Sequence, residues 1–279
     1  MSRIAASGCA ADTVPGAEIV PDLSAAAFFD VDNTMVVGAS IFHFAKGMAA
    51  HDFFSWRDLV SFSARQARLR LRGELPRDLR TARESALAFV AGKEVAEIVR
   101  LSEQVYDESM TDKIWAGTRA LANEHLRAGQ RVWLVTATPV ELARIIADRL
   151  ELTGALGTVA ESVDGRYTGH LVGDALHGQA KARAVRALAE QFGLDLARCS
   201  AYSDSINDLP MLTSVGHPVA VNPDSALRAE AIDRGWPIQD FRTGRRAVKV
   251  VSSTALGLAV AGGVVVAGHA YRRDRLRAA

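Results

Sequence analysis

The chain has 279 residues, 49% of them hydrophobic, which suffices for one large domain or for a core with an inserted module. Its 33 Lys and Arg stand against 32 Asp and Glu, so no global charge draws it to nucleic acid, and nucleic acid is not expected as a partner. Cys9 and Cys199 lie far apart. They support neither a disulfide framework nor a zinc site, and a reducing compartment, the cytosol, fits best.

Residues 1–24 are rich in Ala, Ser, Gly and Pro and lack the continuous apolar run of a secretory signal; they are expected to form a disordered leader. Ala25 to Phe29 is a short apolar run that ends abruptly in Asp30-Val31-Asp32-Asn33-Thr34, the pattern of a buried strand opening into a polar loop. From 41 to 126 the periodicity is helical, as at Leu87, Val90, Ile98 and Leu101, with turn signals at Gly73, Pro76 and Gly92. This predicts an inserted helical cap over 41–126, dividing a core made of 25–40 and 127–244. Arg131 to Val135 predicts a second strand that stops at Thr136-Ala137-Thr138-Pro139, followed by a helix over 141–150. Asp164-Gly165 between Val163 and Tyr167 predicts a hairpin. Lys181 to Phe192 reads as an amphipathic helix closed by Gly193. Strands follow at Cys199 to Tyr202, which leads into Ser203-Asp204-Ser205-Ile206-Asn207-Asp208, and at Pro218 to Val221. Strands alternating with helices predict an α/β fold, a Rossmann-like parallel sheet covered on both faces.

Residues 250–270 carry no charge apart from His269, between Arg245, Arg246 and Lys249 on one side and Arg272, Arg273, Arg275 and Arg277 on the other. As a C-terminal hydrophobic helix, within a segment spanning 245–279, this stretch would extend about 31 Å, the thickness of a bilayer core. Ala255, Ala259, Gly263 and Ala267 give it a stripe of small residues. A membrane anchor, with the catalytic domain on the cytoplasmic side, and a helix packed on protein both fit this composition. The cap holds a run of arginines, Arg57, Arg65, Arg68, Arg70, Arg72, Arg77, Arg80 and Arg83. They suit a solvated face, or a surface for anionic headgroups or a polyanionic substrate.

Ligands of open parallel sheets bind beyond the carboxyl ends of the strands, and there this sequence places Asp30, Asp32, Asp204 and Asp208, the hydroxyls of Thr34 and Thr136, and, from the following helix, Lys181. Carboxylates hold a hard cation such as Mg²⁺, whereas hydroxyls and an ammonium hold phosphate oxygens. Singly, the aspartates would read as turn formers or helix caps and the lysine as a solvated helix residue. Together at one sheet edge they point to a site.

In this order the residues resemble the four signatures of the haloacid dehalogenase superfamily: Asp30 to Thr34 the first, Thr136 the second, with Thr138 equal to it by chemistry, Lys181 the third, and Asp204 with Asp208 the fourth. The insert between the first two signatures resembles subfamily IB, which includes phosphoserine phosphatases. The resemblance implies a phosphatase in which Asp30 is the nucleophile and Asp32 the general acid and base. It further implies Mg²⁺ on Asp30, the Asp32 carbonyl and Asp204, with Asp208 close by, and the phosphoryl group on Thr136 and Lys181, with Asn207 orienting substrate or the Asp204 loop. The expected partner is a phosphomonoester, small or lipid-linked. Phosphoserine phosphatases are expected to carry an acid shortly after the first signature for the substrate ammonium. Here the segment reads Val36-Val37-Gly38-Ala39-Ser40-Ile41, which puts phosphoserine itself in doubt. A non-catalytic phosphate sensor or membrane-docking protein, and a phosphotransferase or mutase, are the competing readings.

Overall fold

The computed structural model describes residues 21–51, 53 and 90–242. The strand after the leader is β1 (Ala26–Phe29), buried along its whole length. Its side chains alternate, Ala27 and Phe29 entering one apolar cluster and Ala26 and Phe28 the other, the period of two that a strand imposes. Each fully buried phenylalanine contributes roughly 1.5–3 kcal/mol of apolar transfer. The neighbouring strand β2 (Arg131–Pro139) repeats the pattern, Val132 and Leu134 facing one cluster and Trp133 and Val135 the other. A strand that feeds two cores must lie in the middle of a covered sheet.

Four further strands complete that sheet: β3 (Gly154–Thr158), β6 (Ser200–Ser203), β7 (His217–Val221) and β8 (Ile238–Gln239). The order is β3-β2-β1-β6-β7-β8, and every pairing is parallel. Separate from it, β4 (Ala160–Val163) and β5 (Arg166–Leu171) form the expected antiparallel hairpin, turned by Asp164 and Gly165 with φ of 49° and 75°. From β1 the chain moves outward to β2 and β3, then crosses to β6 on the opposite flank of β1. The loops leaving β1 and β6 therefore diverge and open a crevice at their carboxyl ends. Pairing continues into that crevice, where the Asp30 amide donates to the Tyr202 carbonyl at 2.9 Å.

Of the insert, α1 (Ser40–Ala50) and α2 (Val95–Ser109) are described and pack on each other through Gly47, where a Cβ would fall 2.2 Å from Val105. Phe44, Met48, Ile98, Leu101 and Val105 join the same cluster as Phe29, so these helices are continuous with the sheet's core. Helix α3 (Ala116–Arg127) lies within the range expected for the cap but covers β1 and β2, and its Thr118 hydroxyl donates to the Thr34 carbonyl at 2.7 Å. Helix α4 (Val140–Arg149) follows β2. Helix α5 (Gln179–Phe192) covers the other face through Val185 and Leu188 and ends at Gly193, which takes the left-handed φ of 65° that a helix stop favours. Two helices, α6 (Leu209–Leu212) and α7 (Ser225–Asp233), complete the second layer.

Several details depart from the sequence reading. Residues 21–24, expected in the disordered leader, are tied down: Asp22 accepts from Arg198 at 2.8 Å and the Ser24 carbonyl from the Asp195 amide at 2.8 Å. Strands β3 and β8 have no counterpart among the expected elements, and β2 runs on to Pro139 with a register shift against β3 after Val135. Residues 1–20, the arginine run of the cap and everything from 243 onward, including the expected hydrophobic helix at 250–270, lie outside the described residues. No helix among the described residues is long and apolar enough to cross a membrane.

Candidate active site

Asp30 directly follows β1, and α5, arriving over the same sheet edge, delivers Lys181. The ammonium Nζ donates to Asp30 Oδ1 at 2.5 Å and to Asp208 Oδ2 at 2.7 Å, and the three residues are 6%, 3% and 2% exposed in the order Asp30, Lys181, Asp208. Such a group of side chains is tolerated away from water only because its members are paired and hydrogen-bonded to one another. Asp208 has a further donor, the Ser203 hydroxyl at 2.7 Å. Asp204, the residue after β6, meets the first loop through the Thr34 hydroxyl at 3.5 Å.

Charge in this pocket is unbalanced, because three carboxylates share one ammonium. Burial pushes the Asp30 carboxyl up to about 8, with Lys181 opposing and Asp208 and Asp204 adding to the rise. Burial, then Asp208, pushes Asp204 up to about 7. Burial works against the Lys181 charge, yet Asp30 and Asp208 outweigh it and hold the ammonium above the ordinary lysine value. The ion pair favours charge on both partners; burial, with the surplus of carboxylates adding to it, is what lifts Asp30.

That surplus, made of oxygen donors, is the chemistry of a hard divalent cation. Among the described residues no three His, Cys, Asp or Glu side chains already form a metal cage. Asp30, Asp204 and the Asp32 backbone carbonyl are oxygen donors of the kind Mg²⁺ takes alongside several waters. Asp208, expected near the metal, is engaged with Lys181 and Ser203 and braces the lysine.

The other expected residues are placed less uniformly. Asp32 turns toward the insert, its Oδ1 accepting from the Ser40 amide at 2.8 Å and the Ser40 hydroxyl at 2.6 Å. Thr136 and Thr138 are both buried; the Thr138 hydroxyl is 2.8 Å from that of Ser40, whereas the Thr136 hydroxyl accepts from the Thr138 amide at 3.1 Å. Asn207 is exposed and bonds to Ser205 at 3.2 Å. Sequence reasoning missed four supports. Besides Ser40 and Ser203 these are Asp224, whose amide donates to the Asp204 carbonyl at 2.7 Å and whose carboxylate accepts from the Ile206 and Leu227 amides at 3.1 and 2.7 Å, and Asn222. The Asn222 amide group donates to the Asn33 carbonyl at 3.1 Å and accepts from the Phe241 amide at 2.8 Å. Asp224 carried a usable signal, an aspartate directly before a helix; Asn222 had none beyond its closeness to a proline.

The family model described as haloacid dehalogenase-like hydrolase matches residues 27–213. The chain is 56% identical to a phosphoserine phosphatase of Mycobacterium tuberculosis (strain H37Rv), over 91% of this chain and 83% of the relative. It is 31% identical to a histidinol-phosphatase of Neisseria meningitidis serogroup C, over 56% of this chain and 72% of the relative. A crystal structure of a protein of unknown function from Bordetella pertussis Tohama I superimposes with a TM-score of 0.69 at 29% identity, covering 77% of this chain and 98% of that one. A parallel sheet whose central strand ends in a buried aspartate paired to lysine, together with these matches, shows that the chain belongs to the haloacid dehalogenase-like hydrolases.

Proposed function

We propose that the chain is a Mg²⁺-dependent phosphomonoester hydrolase in which Asp30 takes the phosphoryl group from the substrate. The observation that carries this reading is the buried contact of Asp30 with Lys181 beside Asp204, at the edge where the sheet's strand order reverses. A carboxylate nucleophile approaching an anionic phosphate needs positive charge around both. Lys181 supplies one such charge and is braced by Asp208 and Ser203. Bound Mg²⁺ would supply the rest by neutralising phosphate oxygens; Asp30, Asp204 and the Asp32 carbonyl would hold it.

In this reading Asp30 Oδ attacks phosphorus and the bond to the alcohol breaks, leaving an aspartyl-phosphate. Asp32 gives the departing alcohol its proton, then takes one from the water that hydrolyses the intermediate. The Thr136 hydroxyl and Lys181 bind the phosphoryl oxygens, for the Thr138 hydroxyl is already directed to Ser40. Asn207, exposed at the rim, faces incoming substrate.

The substrate is a small phosphomonoester. The relative named a phosphoserine phosphatase favours phosphoserine; the segment Val36 to Ile41, which holds no acid for its ammonium, argues for an ester without that requirement. Release of phosphate from an aryl phosphate, with and without Mg²⁺, tests the reaction, and a panel that includes phosphoserine tests the substrate. Asp30→Asn is expected to lose essentially all turnover while staying folded. Hydrolysis at the parent rate would show that Asp30 is not the nucleophile.

A further inference from the structure

Of the residues around the reacting groups, Ser40 has the most specific and least explained contacts. It is fully buried and is the first residue of α1. Its amide and its hydroxyl both end on the same oxygen, Asp32 Oδ1, at 2.8 and 2.6 Å. The residue before the helix, Ala39, has no side chain to cap it, so the Asp32 carboxylate, eight positions back, caps it instead. Behind Ser40 the chain of hydroxyls continues to Thr138 at 2.8 Å, and the Thr138 amide rests on Thr136 at 3.1 Å.

Two donors on one oxygen fix the plane of a carboxyl group and leave its other oxygen to exchange a proton. A backbone amide at a helix start is as rigid a donor as a protein offers, and the hydroxyl is held in turn by Thr138. We infer that Ser40 is the positioning residue for Asp32: it turns Oδ2 toward the leaving oxygen, so the acid and base takes its orientation from the first turn of the insert, not from the sheet that carries the nucleophile. The inference rests on the role proposed for Asp32 and goes beyond it. It also gives the Ser-to-Thr138 link a purpose, since β2 and α1 meet nowhere else through a pair of buried hydroxyls among the described residues.

The effect can be separated from a general loss of packing because an acid matters in proportion to how poor the leaving group is. The quantity to measure is kcat/KM, which covers the steps up to departure of the alcohol, for the Mg²⁺-loaded full chain on an alkyl phosphate and on a nitrophenyl phosphate. For Ser40→Ala, which keeps the amide donor and removes the hydroxyl, kcat/KM is expected to fall about ten- to hundredfold on the alkyl ester, part of the ~10²–10⁴ that acid–base catalysis supplies. On the nitrophenyl ester it should change by no more than about twofold. Thr138→Val should show the same selectivity more weakly, and Ser40→Thr, which restores the hydroxyl, should recover most of the alkyl activity. Equal losses on both esters in an active, folded Ser40→Ala would overturn the inference; should that variant not fold, equal losses in Thr138→Val would do so. A parent that cleaves neither ester would instead refute the phosphatase reading, and this inference with it.

Discussion

Replacing Asp204 by Asn should make the metal-free protein more stable at alkaline pH, an unusual result for a polar residue at an active site. The reason lies in the partial burial of Asp204 and in the surplus of carboxylates around it. Asp204 is displaced from 3.8 to about 7, by burial first and then by Asp208. A carboxyl so displaced costs roughly 4 kcal/mol when it is ionised in the folded state at a pH above both values. Its folded pKa lies above its unfolded one, so the stability linked to it is fully present below about pH 4 and is lost as pH rises through about 7. Asparagine has nearly the same shape, can still accept from Thr34, and never ionises. Because part of the cost is repulsion shared with Asp208, we expect a gain of roughly 2–4 kcal/mol at pH 8, or about 5–15 °C in Tm for a protein of this size. Near pH 4 parent and variant should melt together. The assay is thermal or urea unfolding in EDTA across pH 4–8, repeated with Mg²⁺. At about a hundred times its Kd the ion should stabilise the parent by ~2.7 kcal/mol and the variant hardly at all, so the order of stabilities narrows or reverses. A variant less stable than the parent in EDTA at pH 8, with Mg²⁺ raising both equally, would show that carboxylate crowding does not govern this pocket.

Lys181→Met removes the ammonium and leaves Asp30 and Asp208 facing each other without a counter-charge. Urea unfolding without metal at pH 7 should show a loss of roughly 3–5 kcal/mol, and phosphate release should be undetectable. Ser203→Ala takes one of two donors from a fully buried carboxylate oxygen; a loss of about 1–3 kcal/mol in the same experiment is expected, with any smaller change showing that the Asp208 brace is not needed. Asn222→Ala removes the bonds to the Asn33 carbonyl and the Phe241 amide and puts a less suited residue at a φ of 49°. We expect a loss of roughly 2–3 kcal/mol and a several-fold weaker response to Mg²⁺, both read by thermal unfolding.

The parts of the site legible in the sequence are those where strand ends coincide with acids. Ala25 to Phe29 is too apolar to be anything but buried, and the loop after a buried strand in a parallel sheet faces the crevice, so Asp30, Asp204 and Lys181 can be gathered from residue order alone. Gly193 and Asp164-Gly165 likewise announce a helix stop and a hairpin because their backbone conformations suit few other residues. Strand β3, Gly154-Ala155-Leu156-Gly157-Thr158, is not legible: two glycines and little branched apolar surface give no strand pattern, and the segment is a strand because β2 offers it an edge. Strand β8, two residues long, lies below what any periodicity can show. Helix α3 illustrates a different limit. Its amphipathic spacing is plain, but spacing does not tell which surface covers the apolar face, and the helix lies on the sheet where its position in the chain suggests the cap. The same holds for Asp32 and Asp208, whose presence is clear and whose partners, Ser40 and Ser203, are set by folding.

The direct test of Asp30 is to trap the group it is proposed to carry. The Mg²⁺-loaded protein, mixed with a phosphomonoester and quenched in acid within one turnover, should yield a peptide containing Asp30 that bears one phosphoryl group, absent in Asp30→Asn. A phosphoryl group found on another residue, or rapid release of phosphate that survives Asp30→Asn, would contradict a nucleophilic Asp30.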